Sequence, residues 1–372
     1  MRRALVVAAA AAALLPAGAR AAAPPAVDAR AYLVVDARTG EVLAASHEHD
    51  RLPIASITKL MTVWLTLHRH RLTDVVAVDR RAAVVGESSI ELEPGQRLTV
   101  RDLLEGALIQ SANDAADALA LSEAPSYPAF AALMNAEAEK LGLRDTHFVR
   151  PDGLDAPGEY SSAADVTKLA RLVMRTRFVR QTVAQRTATI ADGEVLHTWD
   201  DLLSLFPATI GVKTGHTAKA GWCQVAAARG QGVTVYATLL GSPTRAQRNR
   251  DLESLLAWGL GQFRVVDAIR PQHAYASVRL PYGRAPLPLV AARRLRIVVR
   301  LGRPLVERVT APVAAALPVR AGTTLGTVAI YQEGRLVGRR DLVAARTIRK
   351  PGFARRLGWY AGRALHHLVH LL

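Results

Sequence analysis

Ser56-Ile57-Thr58-Lys59 sets a hydroxyl and an amine three residues apart. On a helix such residues share a face, with about 5 to 6 Å between their Cβ atoms, so the two groups can meet. Serine is a poor nucleophile at its own pKa, but a lysine desolvated in a cleft near other cations can be neutral and take its proton. A helix N-terminus adds backbone N–H donors where an anionic tetrahedral intermediate needs them. By itself the tetrapeptide reads equally well as a solvent-facing helix start with a serine cap. Two further segments change that weighting: Ser111-Ala112-Asn113 follows Ser56 by 55 residues, and Lys213-Thr214-Gly215 begins 102 residues after Ser111. Ser111 can pass a proton between the lysine and a leaving amine, and the Asn113 amide can hold both a side chain and a substrate carbonyl. Lys213-Thr214-Gly215 follows the apolar Ile210 and Val212 and leads into the strand-like Trp222 to Ala228, which places it on a strand edge. An extended peptide can pair with such an edge. Gly215 permits close approach, and Lys213 and Thr214 can bind a terminal carboxylate. A plain helix cap and a turn between strands are the alternatives for the second and third segments.

Elements at the right spacing surround these residues. Ala31 to Val35 and Glu41 to Ala45 are short apolar runs about Asp36-Ala37-Arg38-Thr39-Gly40, the pattern of a β-hairpin. From Ser56 to His68, Ile57, Leu60, Met61, Trp64, Leu65 and Leu67 recur at helical spacing. Helical patterns continue at Val100 to Leu108, Asp114 to Ser122, Tyr127 to Leu141 and Ala163 to Val173, and strand-like runs return at Val225 to Ala228 and Val233 to Leu240. Strands, a block of helices and strands again predict an α+β domain over 27–265, a helical block packed on a mainly antiparallel sheet. Tyr275 to Leu280, Leu295 to Leu301, Leu305 to Val309 and Thr327 to Tyr331 predict a small all-β domain over 267–345. A third segment, 351–372, starts at Pro351. Within 353–372, Phe353, Leu357, Tyr360, Ala361, Ala364, Leu365, Leu368, Leu371 and Leu372 share one arc of a helix; Arg355, Arg356, Arg363, His366, His367 and His370 oppose them. Six Arg or Lys and no acid lie between Arg346 and Leu372, the pattern of a helix lying in an anionic membrane surface; its alternative is a helix packed on its own domain.

The whole has 372 residues, 50% hydrophobic and 22% charged, which excludes disordered, collagen-like and coiled-coil chains. Residues 1–23 read as an export signal: Arg2 and Arg3, an apolar run from Ala4 to Leu15, then small residues. About 12 apolar residues are too few to span a bilayer. Without the signal the formal charge falls from +16 to +13, by loss of Arg2, Arg3 and Arg20. Forty-two of the 48 basic residues are Arg and six are Lys, so much of the charge is compositional and an intact lysine carries more information. An exported cation meets anionic lipid and acidic wall polymers first, and no nucleic-acid-binding motif is present. Cys223 is the single cysteine, so no intramolecular disulfide forms, and it reads as a small buried hydrophobe. No cofactor is indicated, and no metal either: His366-His367-x-x-His370 lies on a polar helix arc without a carboxylate partner.

At Ser56-x-x-Lys59, Ser111-x-Asn113 and Lys213-Thr214-Gly215 the chain resembles the penicillin-recognising serine enzymes. It is most similar to the low-molecular-mass penicillin-binding proteins that are D-alanyl-D-alanine carboxypeptidases. Ala55-Ser56-Ile57-Thr58-Lys59-Leu60-Met61-Thr62, Gln110-Ser111-Ala112-Asn113-Asp114-Ala115, Gly153-Leu154-Asp155, Tyr160-Ser161-Ser162-Ala163 and Gly211-Val212-Lys213-Thr214-Gly215-His216-Thr217 carry that likeness, which runs from about Ala31 to Phe263. The resemblance implies a β-lactamase/transpeptidase-like catalytic domain, with Ser56 forming the acyl-enzyme, Lys59 as its general base and Ser111 completing the proton relay. Asn113, Lys213, Thr214 and Gly215 would meet substrate, and the backbone N–H groups of Ser56 and His216 would form the oxyanion hole. Peptidoglycan stem peptides are then the substrate, β-lactam antibiotics the inhibitors, and the outer face of the cytoplasmic membrane the place of work, with 353–372 as a peripheral anchor. One stretch departs from the family: Thr198-Trp199-Asp200-Asp201-Leu202-Leu203 stands where Thr-Asn-x-Leu-Leu is usual. A class A β-lactamase would need a Glu-x-x-Leu-Asn segment between the second and third motifs, and none of Glu123, Glu137, Glu139, Glu159 and Glu194 begins one. A D,D-endopeptidase uses the same chemistry; a non-catalytic wall-binding relative has no reason to keep Ser56, Lys59 and Lys213 intact.

Overall fold

The computed structural model describes residues 5–8 and 22–369. The export signal read over 1–23 therefore lies largely outside the described residues. Two compact units divide the chain between Gln262 and Phe263.

The first unit begins with the hairpin β1 (Ala31–Asp36) and β2 (Val42–Ser46), in which Tyr32 faces Ser46 and Leu33 faces Ala45. Asp36 Oδ1 accepts the Arg38 N–H at 2.7 Å and so sets the turn. Four longer helices follow: α1 (Lys59–Arg69), α2 (Asn113–Glu123), α3 (Tyr127–Leu141) and α4 (Ala163–Val173). Ser126 and Ser162 cap the last two by accepting backbone N–H groups of Ala129 and Asp165, and Gly142 closes α3 in the left-handed conformation. The chain then returns as β3 (Thr209–Thr217), β4 (Gly221–Gly230) and β5 (Val233–Ser242), followed by α5 (Arg245–Gly261). The five strands form one antiparallel sheet in the order β2-β1-β5-β4-β3. Side chains alternate across it. Leu33, Val35, Val225, Ala227 and Tyr236 join the helical core with Val166 and Leu169, while Val34, Ala226, Val235 and Leu239 are buried on the other face, where α5 packs on β4 and β5.

The helix expected over Val100 to Leu108 stops at Glu105 and widens into a π-turn, Gly106–Gln110. That wide turn lets the Ala112 N–H reach the Gly106 carbonyl at 3.0 Å and delivers Ser111 in the left-handed conformation, φ +63°.

In the second unit β6 (Phe263–Ile269) pairs with β9 (Leu295–Arg300). A larger antiparallel sheet runs β10-β11-β12-β8-β7, built from β7 (Ala274–Val278), β8 (Leu287–Ala291), β10 (Leu305–Pro312), β11 (Thr324–Gln332) and β12 (Arg335–Ala344). Residues 5–8 pair antiparallel with the open edge of β10. β12 had no strand signal because Arg335, Arg339, Arg340 and Asp341 hide its alternation, yet it lies between β11 and β8 and buries Leu342 and Ala344. The unit ends in α6 (Phe353–Val369). Trp359, which falls among the polar residues of this helix, is half-buried, its ring 5.2 Å from that of Tyr282. On the apolar arc Phe353, Leu357 and Tyr360 are 77%, 60% and 54% exposed.

Candidate active site

Ala55–Thr58 is a single 3₁₀ turn that runs directly into α1. In a 3₁₀ turn residues i and i+3 eclipse, which stacks Lys59 on Ser56. Lys59 Nζ lies 2.8 Å from Ser56 Oγ, and it also donates to Asn113 Oδ1 at 2.6 Å and to the Asp152 carbonyl at 2.7 Å. A neutral amine has two N–H groups and one lone pair. With its two donors spent on Asn113 and Asp152, the lone pair faces the Ser56 hydroxyl. Complete burial lowers the Lys59 pKa from 10.5 to about 8, against the pull of Asp152, Asp117, Glu159 and Asp114.

Two glycines hold the turn that carries Ser56 in place. Ala55 carries the left-handed φ of +50°, rarely tolerated by a residue with a side chain. A Cβ on Gly153 would lie 2.2 Å from the Ala55 carbonyl oxygen, and one on Gly215 would lie 2.8 Å from the Ile54 oxygen and 3.1 Å from the Ser56 nitrogen. The third motif's strand can therefore touch the first motif's backbone only because position 215 has no side chain.

From the other side, Lys213 Nζ donates to Ser111 Oγ at 2.8 Å and to the Thr214 carbonyl at 2.9 Å. Lys213 is buried, and desolvation first, then the neighbouring Lys59 charge, hold its pKa well below the usual lysine range. Asn113 is fixed by its own Nδ2, which donates to the Gly86 carbonyl at 2.9 Å. Ser56, Ser111, Asn113, Thr214, Gly215 and His216 all line one cleft, of about 230 Å³, and Lys59 and Lys213 reach its floor through Ser56 and Ser111. The His216 ring sits 4.1 Å from that of Trp222. Three distant stretches thus meet about one hydroxyl, the arrangement of an activated serine with a second, cation-linked serine as proton carrier.

The match to known proteins follows this geometry. Residues 18–244 fit the Peptidase_S11 family, D-alanyl-D-alanine carboxypeptidase. The chain belongs to that family. It is 32% identical over 367 residues to the D-alanyl-D-alanine carboxypeptidase DacD of Salmonella typhimurium, covering 91% of this chain and 90% of the relative. Penicillin binding protein 6B from Escherichia coli shares its fold with a TM-score of 0.64 at 29% identity, over 87% of this chain and 98% of that one. A Streptomyces K15 DD-transpeptidase covers 64% of this chain and 99% of its own length, with 31% identity and a TM-score of 0.60.

Sequence reasoning missed several groups around the cleft. Arg248 is 1% exposed yet lines it, stacked 5.6 Å from the Trp222 ring and held by Asn249 Oδ1 at 2.6 Å. A cation there could only have been found from the fold, because it enters from α5, far along the chain from the motifs. The departing stretch also has structural content. Asp201 accepts from Arg245 at 2.7 and 2.5 Å and from Asn249 at 2.7 Å, Asp200 accepts from Gln224 at 2.8 Å, and Trp199 reaches the cleft wall. Behind Lys59, Arg150 pairs with Asp152 at 2.6 Å and stands 4.0 Å from Asp117, a buried carboxylate whose pKa desolvation and the neighbouring Asp152 raise to about 7. Cys223 is fully buried, and burial pushes its thiol up to about 11.

Proposed function

We propose that the chain is a serine D,D-carboxypeptidase that removes the terminal D-alanine from pentapeptide stems of peptidoglycan. Neutral Lys59 takes the Ser56 proton as Oγ bonds to the scissile carbonyl carbon, and backbone N–H groups of Ser56 and His216 receive the oxyanion. The C–N bond then breaks as Ser111 hands its proton to the departing amine and takes the Lys59 proton in its place, which leaves Lys59 neutral and the acyl group on Ser56. Lys59 next takes a proton from the water that attacks the ester carbonyl and returns it to Ser56 Oγ as the ester C–O bond breaks, releasing the shortened peptide. Asn113 and the Thr214–His216 strand edge align the substrate backbone, and Arg248 with Lys213 and Thr214 supplies charge and donors for the terminal carboxylate.

The contact that carries this reading is Lys59 Nζ on Ser56 Oγ at 2.8 Å, with the amine buried and its ammonium form disfavoured. Penicillins should acylate the same hydroxyl. Incubation with a labelled penicillin and mass spectrometry of the adduct tests it; absence of label on Ser56, or equal labelling of a Ser56→Ala variant, ends the proposal. A β-lactamase reading has no support from the cleft, where Glu87 is the one carboxylate among the lining residues and precedes the second motif.

The place of work proposed is the outer face of the cytoplasmic membrane. Among the described residues no helix is long and apolar enough to cross a membrane. The exposed Phe353, Leu357 and Tyr360 favour α6 lying in the surface. Deleting 353–372 should free the protein from anionic vesicles and leave acylation intact; unchanged pelleting of the truncated protein would count against the anchor.

A further inference from the structure

At the end of the central sheet away from the cleft is a second pocket, of about 370 Å³, that shares no lining residue with it. Arg229 in this pocket lies seven positions along β4 from Trp222 in the cleft, roughly 23 Å at the rise of an extended strand. Arg171, Arg175, Arg180 and Arg229 surround it, and no carboxylate is among its lining residues.

The four guanidinium groups are not merely part of the chain's arginine excess. Among the described residues none of them is in an ion pair. Arg171 and Arg180 instead turn to backbone carbonyls, Arg171 to Ala37 at 2.8 Å and Arg180 to Met174 and Arg175 at 2.8 and 2.6 Å. Those bonds fix two cations in orientation while leaving their charge uncompensated. Tyr236 provides a second, independent observation. It is only 5% exposed, it lines the pocket, and no hydrogen bond from the described residues reaches its hydroxyl, which is not sealed from the pocket either. Arg171, Arg180 and Arg229 all act electrostatically on that phenol. The hydroxyl therefore opens into the pocket with its donor free for whatever occupies it.

We propose that this pocket is a second ligand site, for a phosphate-bearing anion held by Arg171, Arg175, Arg180 and Arg229 with the Tyr236 hydroxyl donating from the floor. Guanidinium forks match phosphate oxygens in pairs. Four cations without a carboxylate call for a multiply charged group, which a single carboxylate is not. For an exported enzyme such phosphate is carried by lipid headgroups or by free and polymer-borne phosphoryl groups. The site is separate from the reacting serine, so its ligand would hold or orient the protein rather than take part in the chemistry.

The test is calorimetric titration of the full chain with inorganic pyrophosphate at constant ionic strength, beside an Arg175→Gln/Arg229→Gln double variant and Tyr236→Phe. Saturable one-to-one binding is expected, weakened at least tenfold in the double variant and several-fold in Tyr236→Phe. Penicillin labelling of Ser56 should be the same in all three, which separates failure here from failure of the carboxypeptidase reading. Tyr236→Phe removes an oxygen that bonds nothing, so it should fold. Equal affinity in all three proteins, heat that never saturates, or succinate binding as tightly as pyrophosphate would overturn the site. Competition by short-chain phosphatidylglycerol below its micelle concentration would identify a lipid headgroup as the source; continued pyrophosphate binding without competition would identify a free or polymer-borne phosphate, and both uphold the site.

Discussion

Lowering the pH should silence Ser56 by protonating one buried amine. The Lys59 pKa falls from 10.5 to about 8, which corresponds to roughly 3 kcal/mol against the ammonium form. At that value about one tenth of the molecules carry a neutral Lys59 at pH 7 and about one hundredth at pH 6. The second-order rate of acylation by a labelled penicillin should therefore rise about tenfold per pH unit up to pH 7 and level off above about pH 8.5. An unperturbed lysine would leave only about three neutral molecules in ten thousand at pH 7, some 300-fold fewer. The structure also says how to move the limb. Asp117 is among the carboxylates that raise the Lys59 pKa, so Asp117→Asn should shift the midpoint to lower pH, one unit for each 1.36 kcal/mol of interaction lost. Stopped-flow or quenched labelling between pH 5.5 and 9 measures both curves. A flat profile, or a rising limb centred near 10.5, would refute Lys59 as the base; a midpoint that Asp117→Asn moves upward would refute the electrostatic account.

Gly153→Ala should destabilise the first unit by about 3 kcal/mol or more and abolish Ser56 labelling, since its Cβ would meet the Ala55 oxygen at 2.2 Å and position 153 has φ +79°; thermal melting and labelling read the two effects. Arg248→Ala should lower kcat/KM for a D-Ala-D-Ala peptide by about 10- to 150-fold, the range for a lost hydrogen bond to a charged group; an ester or amide substrate without the terminal carboxylate, assayed in parallel, should lose much less. Asp117→Asn should also raise Tm at pH 8. Its folded pKa of about 7 exceeds the ordinary 3.8, so the carboxyl destabilises the fold progressively as pH rises from about 4 through 7. The gap in Tm between variant and wild type should shrink at pH 5, and a gap independent of pH would contradict that sign.

Much of the helical framework could be read in advance because apolar spacing reports which face is buried: the expected Tyr127 to Leu141 and Ala163 to Val173 are the observed helices. Strands with an arginine-rich or short pattern could not. β12 is pinned by pairing on both sides, and β8 by five residues between two neighbours, neither of which local periodicity reports. The π-turn before Ser111 was equally hidden, since only the contacts of Ala112 and Asn113 make a five-residue turn preferable to the ordinary helix.

The proposed nucleophile Ser56, its lysine partner and the two other motifs are matters of local residue type, because serine, lysine, asparagine and glycine each have a chemistry that no fold can supply to another residue. What distance and desolvation do to them belongs to the fold alone. The lone pair of Lys59 faces Ser56 only because Asn113 Oδ1 and the Asp152 carbonyl, 54 and 93 residues away in the chain, accept hydrogen bonds from its two N–H groups. Arg248 enters the cleft from a helix that no motif marks, and Arg229 on β4 meets Arg171 on α4, Arg175 in the turn after it and Arg180 in the short helix that follows. A pKa, a hydrogen-bond partner and a convergent charge are properties of neighbours in space, and the chain acquires those neighbours only when it closes its core.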